Sequence, residues 1–191
     1  VIYEDKKTNL EYKADHSALI MKQIWDFSQT VDIEDVKATL DQQITCNMAI
    51  ANEGINNSYG ANIGHVILNM DSDCVKTRAK AYAAAGSDDA RMNGCELPVV
   101  INSGSGNQGI TCCVPVVVYA KELNCSEEKL YRALVLSNLT AIYIKTGIGT
   151  LSAFCGAVSA GAAAGAGIAY SHNGGYKEIQ HTIVNALAIL S

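Results

Sequence analysis

Between Thr146 and Tyr176 the sequence contains no Asp, Glu, Lys or Arg, and its middle reads Phe154-Cys155-Gly156-Ala157-Val158-Ser159-Ala160-Gly161-Ala162-Ala163-Ala164-Gly165-Ala166-Gly167. A helix built from this stretch has no charged face to turn to water, so other elements must enclose it. A transmembrane helix with Gly161-xxx-Gly165 packing is the weaker reading. The bulk of the span is Ala and Gly, which gain little from lipid, and Ser171, His172 and Asn173 interrupt it early. The stronger reading is a buried central helix whose small residues let neighbouring backbones approach, with Cys155 buried and positioned at its N-terminal end. A helix N-terminus favours a negatively charged sulfur, which is what metal or cluster ligation needs.

The other long segments repeat their apolar residues at helical spacing, which predicts a mainly α fold. Leu19, Ile20, Ile24 and Phe27 share one face, and Asp32 caps a second helix that carries Val36, Leu40, Ile44 and Met48 inward. Glu53 to Gly60 reads as a polar break, followed by Ile63, Val66, Ile67 and Met70 at helical spacing. Cys74 to Gly86 reads as an Ala-rich helix with Gly86 as its stop, and Ile110 to Leu123 as the next helix. Ser126 caps a long helix through Leu130, Leu134, Leu136, Leu139 and Ile142 to Lys145, and Gly175 to Ser191 is amphipathic, with Ile179, Ile183, Ala186, Leu187 and Leu190 facing in. Val1 to Tyr12 alternates weakly and reads as a short extended strand or hairpin left from a preceding unit. The expectation is a single multi-helix domain over residues 13–191 with an extended remnant at 1–12.

A chain of 191 residues with 49% hydrophobic and 17% charged side chains can bury a sizeable core as one domain. Its formal net charge of -5 and the absence of clustered Lys and Arg argue against nucleic acid and anionic membrane surfaces as partners. The 7 cysteines (46, 74, 95, 112, 113, 125 and 155) are an odd set in apolar, helix-like segments, which suits small core thiols in a reducing, cytoplasmic compartment. Neither a CxxC pair nor zinc spacing is present. His16, His65, His172 and His181 form no HExxH or other local pairing.

The stretch most open to chemistry is Asn102-Ser103-Gly104-Ser105-Gly106-Asn107-Gln108-Gly109, which lies between the apolar run Leu97–Ile101 and a predicted helix. Glycines bare the backbone, and the helix that follows points its free N–H groups and positive dipole end at the loop. An anion such as a carboxylate or phosphate is the natural guest; the plainer alternative is a solvated connector that caps the helix. Gly104 to Gly109 also fits GxGxxG, but a dinucleotide-binding unit needs a second parallel strand where a long capped helix follows. Asp88, Asp89 and Arg91, shortly before the loop, read as a surface pair or as part of a site.

Several stretches together resemble the iron–sulfur-dependent L-cysteine desulfidases, a family related to the α-chain of bacterial L-serine dehydratase. They are Ser87-Asp88-Asp89-Ala90-Arg91-Met92-Asn93-Gly94, Asn102 to Thr111, Ala133-Leu134-Val135-Leu136-Ser137 with Ala141-Ile142-Tyr143-Ile144, and Leu151-Ser152-Ala153-Phe154-Cys155. The resemblance implies an all-helical catalytic domain and a [4Fe–4S] cluster held by three cysteines. It also implies β-elimination from a small amino acid to pyruvate and ammonia, releasing sulfide from L-cysteine or water from L-serine. By the same resemblance Cys155 is the first cluster ligand, and the other two belong to a CxxxxxxC segment expected shortly after Ser191. The chain thus reads as an excised domain that cannot complete the cluster alone, so that the cofactor belongs to the full-length parent. On chemical grounds Asn102, Ser103, Gly104, Ser105, Gly106, Asn107 and Gln108 are candidates to hold the substrate carboxylate, with Arg91 as a second carboxylate partner. The alternative on the same fold is a non-catalytic amino-acid-binding or scaffold domain. An apolar face exposed by excision would favour association into a homo-oligomer.

Overall fold

The computed structural model describes Ser17, residues 19–149 and residues 155–189. The predicted N-terminal extended segment, the Leu151–Phe154 part of the family-like motif, and Leu190 lie outside the described residues. The described residues form helices α1 (Met21–Thr30), α2 (Ile33–Asn56), α3 (Ile63–Leu68), α4 (Val75–Ala84), α5 (Gly106–Glu122), α6 (Glu127–Ile148), α7 (Gly156–Ser171) and α8 (Tyr176–Ala188), with no strand among them. The expected mainly α fold is therefore what the described residues adopt.

Helix α7 occupies the middle of the bundle, packed by α5, α6 and α8. Ala160, Ala162, Ala163, Ala164 and Ala166 are buried along it. A Cβ on Gly167 would lie 2.9 Å from the Ala133 carbonyl oxygen and from Val116 Cγ2, so the small residues serve the close backbone approach that the sequence suggests. Enclosure is incomplete along one stripe. Gly161 is exposed, and Ala157, Val158 and Gly165 line a groove of about 510 Å³ whose other wall includes Lys76 and Lys80 of α4.

The two predicted caps form as expected, Asp32 accepting from the Glu34 N–H and Ser126 from the Lys129 N–H. Ile24 is buried as predicted, but Phe27, one turn on, is 46% exposed. Val66 and Met70 are also exposed, because α3 is a short helix that buries only Gly64.

Two glycines that read as breaks are contacts instead. Helix α2 runs through Gly54 to Asn56, and a Cβ on Gly54 would meet the Ala85 carbonyl oxygen at 2.1 Å. Gly86 does not stop α4; the chain continues as a π-helical segment, Ala85–Ala90, and a 3-10 turn, Arg91–Asn93, ending at Gly94 with φ 86°. A Cβ on Gly86 would lie 3.1 Å from Ala51 Cα, so the wide turn is where α2 and the end of α4 touch backbone to backbone. Such π turns are uncommon and often sit beside functional residues. Here the segment carries the chain directly into Arg91.

Candidate active site

The glycine-rich stretch divides into a tight turn and a helix start. Asn102 and Ser105 exchange backbone hydrogen bonds of 3.1 and 3.0 Å, and the residues between them have positive φ, 49° at Ser103 and 78° at Gly104. Positive φ at both central positions belongs to type I′ turns and is unfavourable for a side chain. Ser103 offsets part of that cost by donating its hydroxyl to Asn102 Oδ1 at 2.8 Å. Ser105 is the N-cap of α5, its Oγ accepting from the Gln108 N–H at 3.4 Å. Helix geometry leaves the N–H groups of Gly106 and Asn107 without intrahelical acceptors.

Amide side chains hold this turn from below. Asn102 is 6% exposed and points inward, donating to Asn138 Oδ1 at 2.9 Å. Asn138 also exchanges hydrogen bonds with Gln43, donating at 2.8 Å and accepting at 2.9 Å. Asn47, fully buried, pairs with both backbone groups of Val100 at 2.9 and 3.1 Å, as a neighbouring strand would. The turn is thus set by α2 and α6, although neither helix belongs to the sequence motif. The signal for these amides was phase: Gln43 and Asn47 fall on the inward face of α2 that carries Leu40 and Met48.

Arg91 comes to this helix end from the π segment. Its Nη1 donates to Asn107 Oδ1 at 2.8 Å, and a Cβ on Gly106 would lie 2.3 Å from its Nε. Glycine at 106 is what gives the guanidinium its seat. No carboxylate among the described residues lies within ion-pair distance of Arg91. The charge there has a partner amide but no counter-ion, an arrangement suited to an incoming carboxylate. Asp89, by contrast, is neither a surface charge nor part of this site. It is 1% exposed and accepts from the Ile63 and Gly64 N–H groups at 2.9 and 2.8 Å, capping α3 from a distance.

The third feature joins through Gln108, whose side chain lies against Gly156; a Cβ there would be 2.3 Å from Gln108 Nε2. Cys155 precedes Gly156 as the N-cap of α7 and is exposed, not buried as expected. The reason is position: the enclosed face of α7 begins at Ser159, a turn further on. Two helix N-termini, a guanidinium with no counter-ion among the described residues and an accessible thiol therefore lie along the first turn of α5 and the α7 end it touches.

Two of the other thiols differ sharply from Cys155. Cys112 and Cys113 are fully buried; burial pushes the Cys112 thiol up to about 12 and the Cys113 thiol well above its ordinary value. Iodoacetamide at pH 8 is therefore expected to modify Cys155 in the folded protein while leaving Cys112 and Cys113 untouched until denaturant is added. Peptide mass spectrometry reads the order, and early labelling of Cys112 or Cys113 would contradict the packing. His172 stacks edge-on against Tyr119 at 5.9 Å, a structural contact.

The family model of the serine dehydratase alpha chain matches residues 3–191. A UPF0597 protein of Desulfitobacterium hafniense is 59% identical over 98% of this chain and 43% of its own length. UPF0597 proteins of Lachnoclostridium phytofermentans and Finegoldia magna are 56% and 50% identical, over 93% and 95% of this chain and 42% and 43% of theirs. The chain spans less than half the length of these relatives. No solved structure matches it. No described helix is long and apolar enough to cross a membrane.

Proposed function

We propose, since this chain belongs to the serine dehydratase alpha chain family, that it is the helical catalytic domain of a lyase performing β-elimination on a small amino acid. L-cysteine would give pyruvate, ammonia and sulfide, and L-serine pyruvate and ammonia. The observation that carries this reading is that the first turn of α5 meets Arg91 through Gly106 and Asn107 and meets the N-terminal end of α7, beside exposed Cys155, through Gln108. The substrate carboxylate would lie on the Gly106 and Asn107 N–H groups with Arg91 beside it. That seat neutralises the carboxylate and leaves the Cα–H and the β-substituent free to face the α7 end.

Cys155 fits one ligand position of a [4Fe–4S] cluster: it is accessible, and the residue after it has no side chain to crowd the sulfur. The described residues contain no group of three or more His, Cys, Asp or Glu able to hold a metal. The remaining ligands would come from parts of the whole protein beyond these residues. When bound, such a cluster supplies a Lewis acid that draws on the leaving sulfur or hydroxyl. This chain's own contribution is to fix the amino acid by its carboxylate and to present one thiolate.

The test is anaerobic cluster reconstitution of the full-length protein, wild type beside Cys155→Ala, with a pyruvate assay on L-cysteine and L-serine. The expected result is a cluster chromophore and pyruvate from wild type and neither from the variant, with the faster substrate naming the enzyme. A wild type that takes up no cluster and leaves both amino acids untouched would make the domain an amino-acid-binding or scaffold unit.

A further inference from the structure

Ser105-Gly106-Asn107-Gln108 has the spacing of a capping box, in which the side chain at the fourth position returns to the N-cap N–H. Only half of that box forms. The Ser105 N–H donates to the Asn102 carbonyl at 3.0 Å, so the tight turn has already taken the donor that Gln108 would have capped. The released amide lies over Gly156, where a Cβ would be 2.9 Å from Oε1. Gln108 is only 5% exposed, and its Oε1 is buried with no hydrogen-bond partner among the described residues. A buried acceptor left unpaired is costly, and in native proteins nearly all such groups are satisfied. This one calls for a donor at the junction of α5 and α7.

We propose that Gln108 Oε1 is the acceptor for the α-ammonium group of the substrate, an assignment that rests on the amino-acid reading of this site. In an α-amino acid the ammonium and carboxylate share one carbon, so their partners must be neighbours. Gln108 sits in the same helical turn as the free N–H groups of Gly106 and Asn107. Successive residues turn by about 100° around a helix, so Arg91, seated over Gly106, and the side chain of Gln108, two residues on, flank the helix end on opposite sides. A carboxylate between them keeps Arg91 on one side and turns its ammonium to the other, toward Gln108 and the α7 end. The three-point arrangement orients the β-substituent and separates amino acids from simple carboxylic acids.

The experiment uses the full-length protein and two compounds that cannot undergo elimination, L-alanine and propionate, titrated calorimetrically. Wild type is expected to prefer L-alanine. Gln108→Met is expected to weaken L-alanine by about tenfold or more, the effect of losing a hydrogen bond to a charged group, with propionate unchanged. Gln108→Glu, which keeps an acceptor, is expected to restore the preference, and Arg91→Met to weaken both compounds together. An unchanged L-alanine to propionate ratio in a folded Gln108→Met variant overturns the assignment and leaves the amino-acid reading standing. A wild type that binds neither compound removes that reading and the role of Gln108 with it.

Discussion

Gly109→Ala is expected to lower stability by about 2 kcal/mol or more, although alanine is the better helix former by about 1 kcal/mol. Gly109 is buried in the first turn of α5, where a Cβ would lie 2.0 Å from the Val100 carbonyl oxygen and 3.0 Å from Ile101 Cα. Both are backbone atoms, and Val100 is further fixed by its pair of hydrogen bonds to buried Asn47. No rotamer change relieves the contact; either α5 moves off the 97–101 segment or the Asn47 pairing breaks. Overpacking of this kind costs about 1–3 kcal/mol and occasionally more, which outweighs the propensity gain. Gly147→Ala is the internal control, since it lies within α6 with nothing within 4 Å of the new Cβ, and there the propensity gain stands alone. Thermal unfolding should place Gly109→Ala about 4–8 °C below wild type and Gly147→Ala at or slightly above it. A Gly109→Ala protein that melts with wild type would mean that the contact between segment 97–101 and α5 is looser than the structure has it.

The same ambiguity of glycine explains where sequence and structure part. Local chemistry was legible: Asp32 and Ser126 cap because their side chains reach N–H groups two or three residues on. The helix that follows the glycine-rich stretch was legible as a helix, but its start was not: it begins at Gly106, inside the stretch and capped by Ser105, rather than at Ile110. Gly54 and Gly86 were misread because a glycine that ends a helix and one that lets helices touch look alike in sequence. What decides between them is Ala85 or Ala51, brought near only by the fold. Because Gly86 does not end the helix, the π segment exists and Arg91 reaches α5. The candidate residues were therefore visible one by one, but their meeting was not. Asp89 shows the converse: a charge among charges in sequence becomes a buried cap of α3 once the π segment turns it inward.

The amides beneath the turn carry the second large effect. Asn138→Leu is expected to destabilise by about 2–5 kcal/mol, because it removes the partner of two buried amides at once. Asn138 Oδ1 accepts from Gln43 at 2.9 Å and from Asn102 at 2.9 Å, and its Nδ2 donates to Gln43 Oε1 at 2.8 Å. Gln43 is 3% exposed and Asn102 6%, so neither can turn to water without opening the core. Leucine has a similar volume and is apolar, which makes unpaired polar groups, and not a cavity, the source of the loss. Gln43→Leu added to Asn138→Leu should therefore recover part of the loss, since an amide removed no longer needs a partner. A coupling of at least about 1 kcal/mol is expected in the double-mutant cycle measured by urea unfolding. Asn102 does not recover in the double variant, because its Nδ2 keeps only the bond to the Asn138 carbonyl at 3.2 Å. The turn between Asn102 and Ser105 should then loosen while the helices regain their stability, which separates holding the bundle from holding the site. Hydrogen exchange reads that difference directly: in the double variant the Ser105 amide, bonded to Asn102 at 3.0 Å, is expected to exchange faster than in wild type. Simple additivity of the two substitutions would mean that Gln43 and Asn138 stand side by side without depending on each other, and that the turn is held by its own backbone.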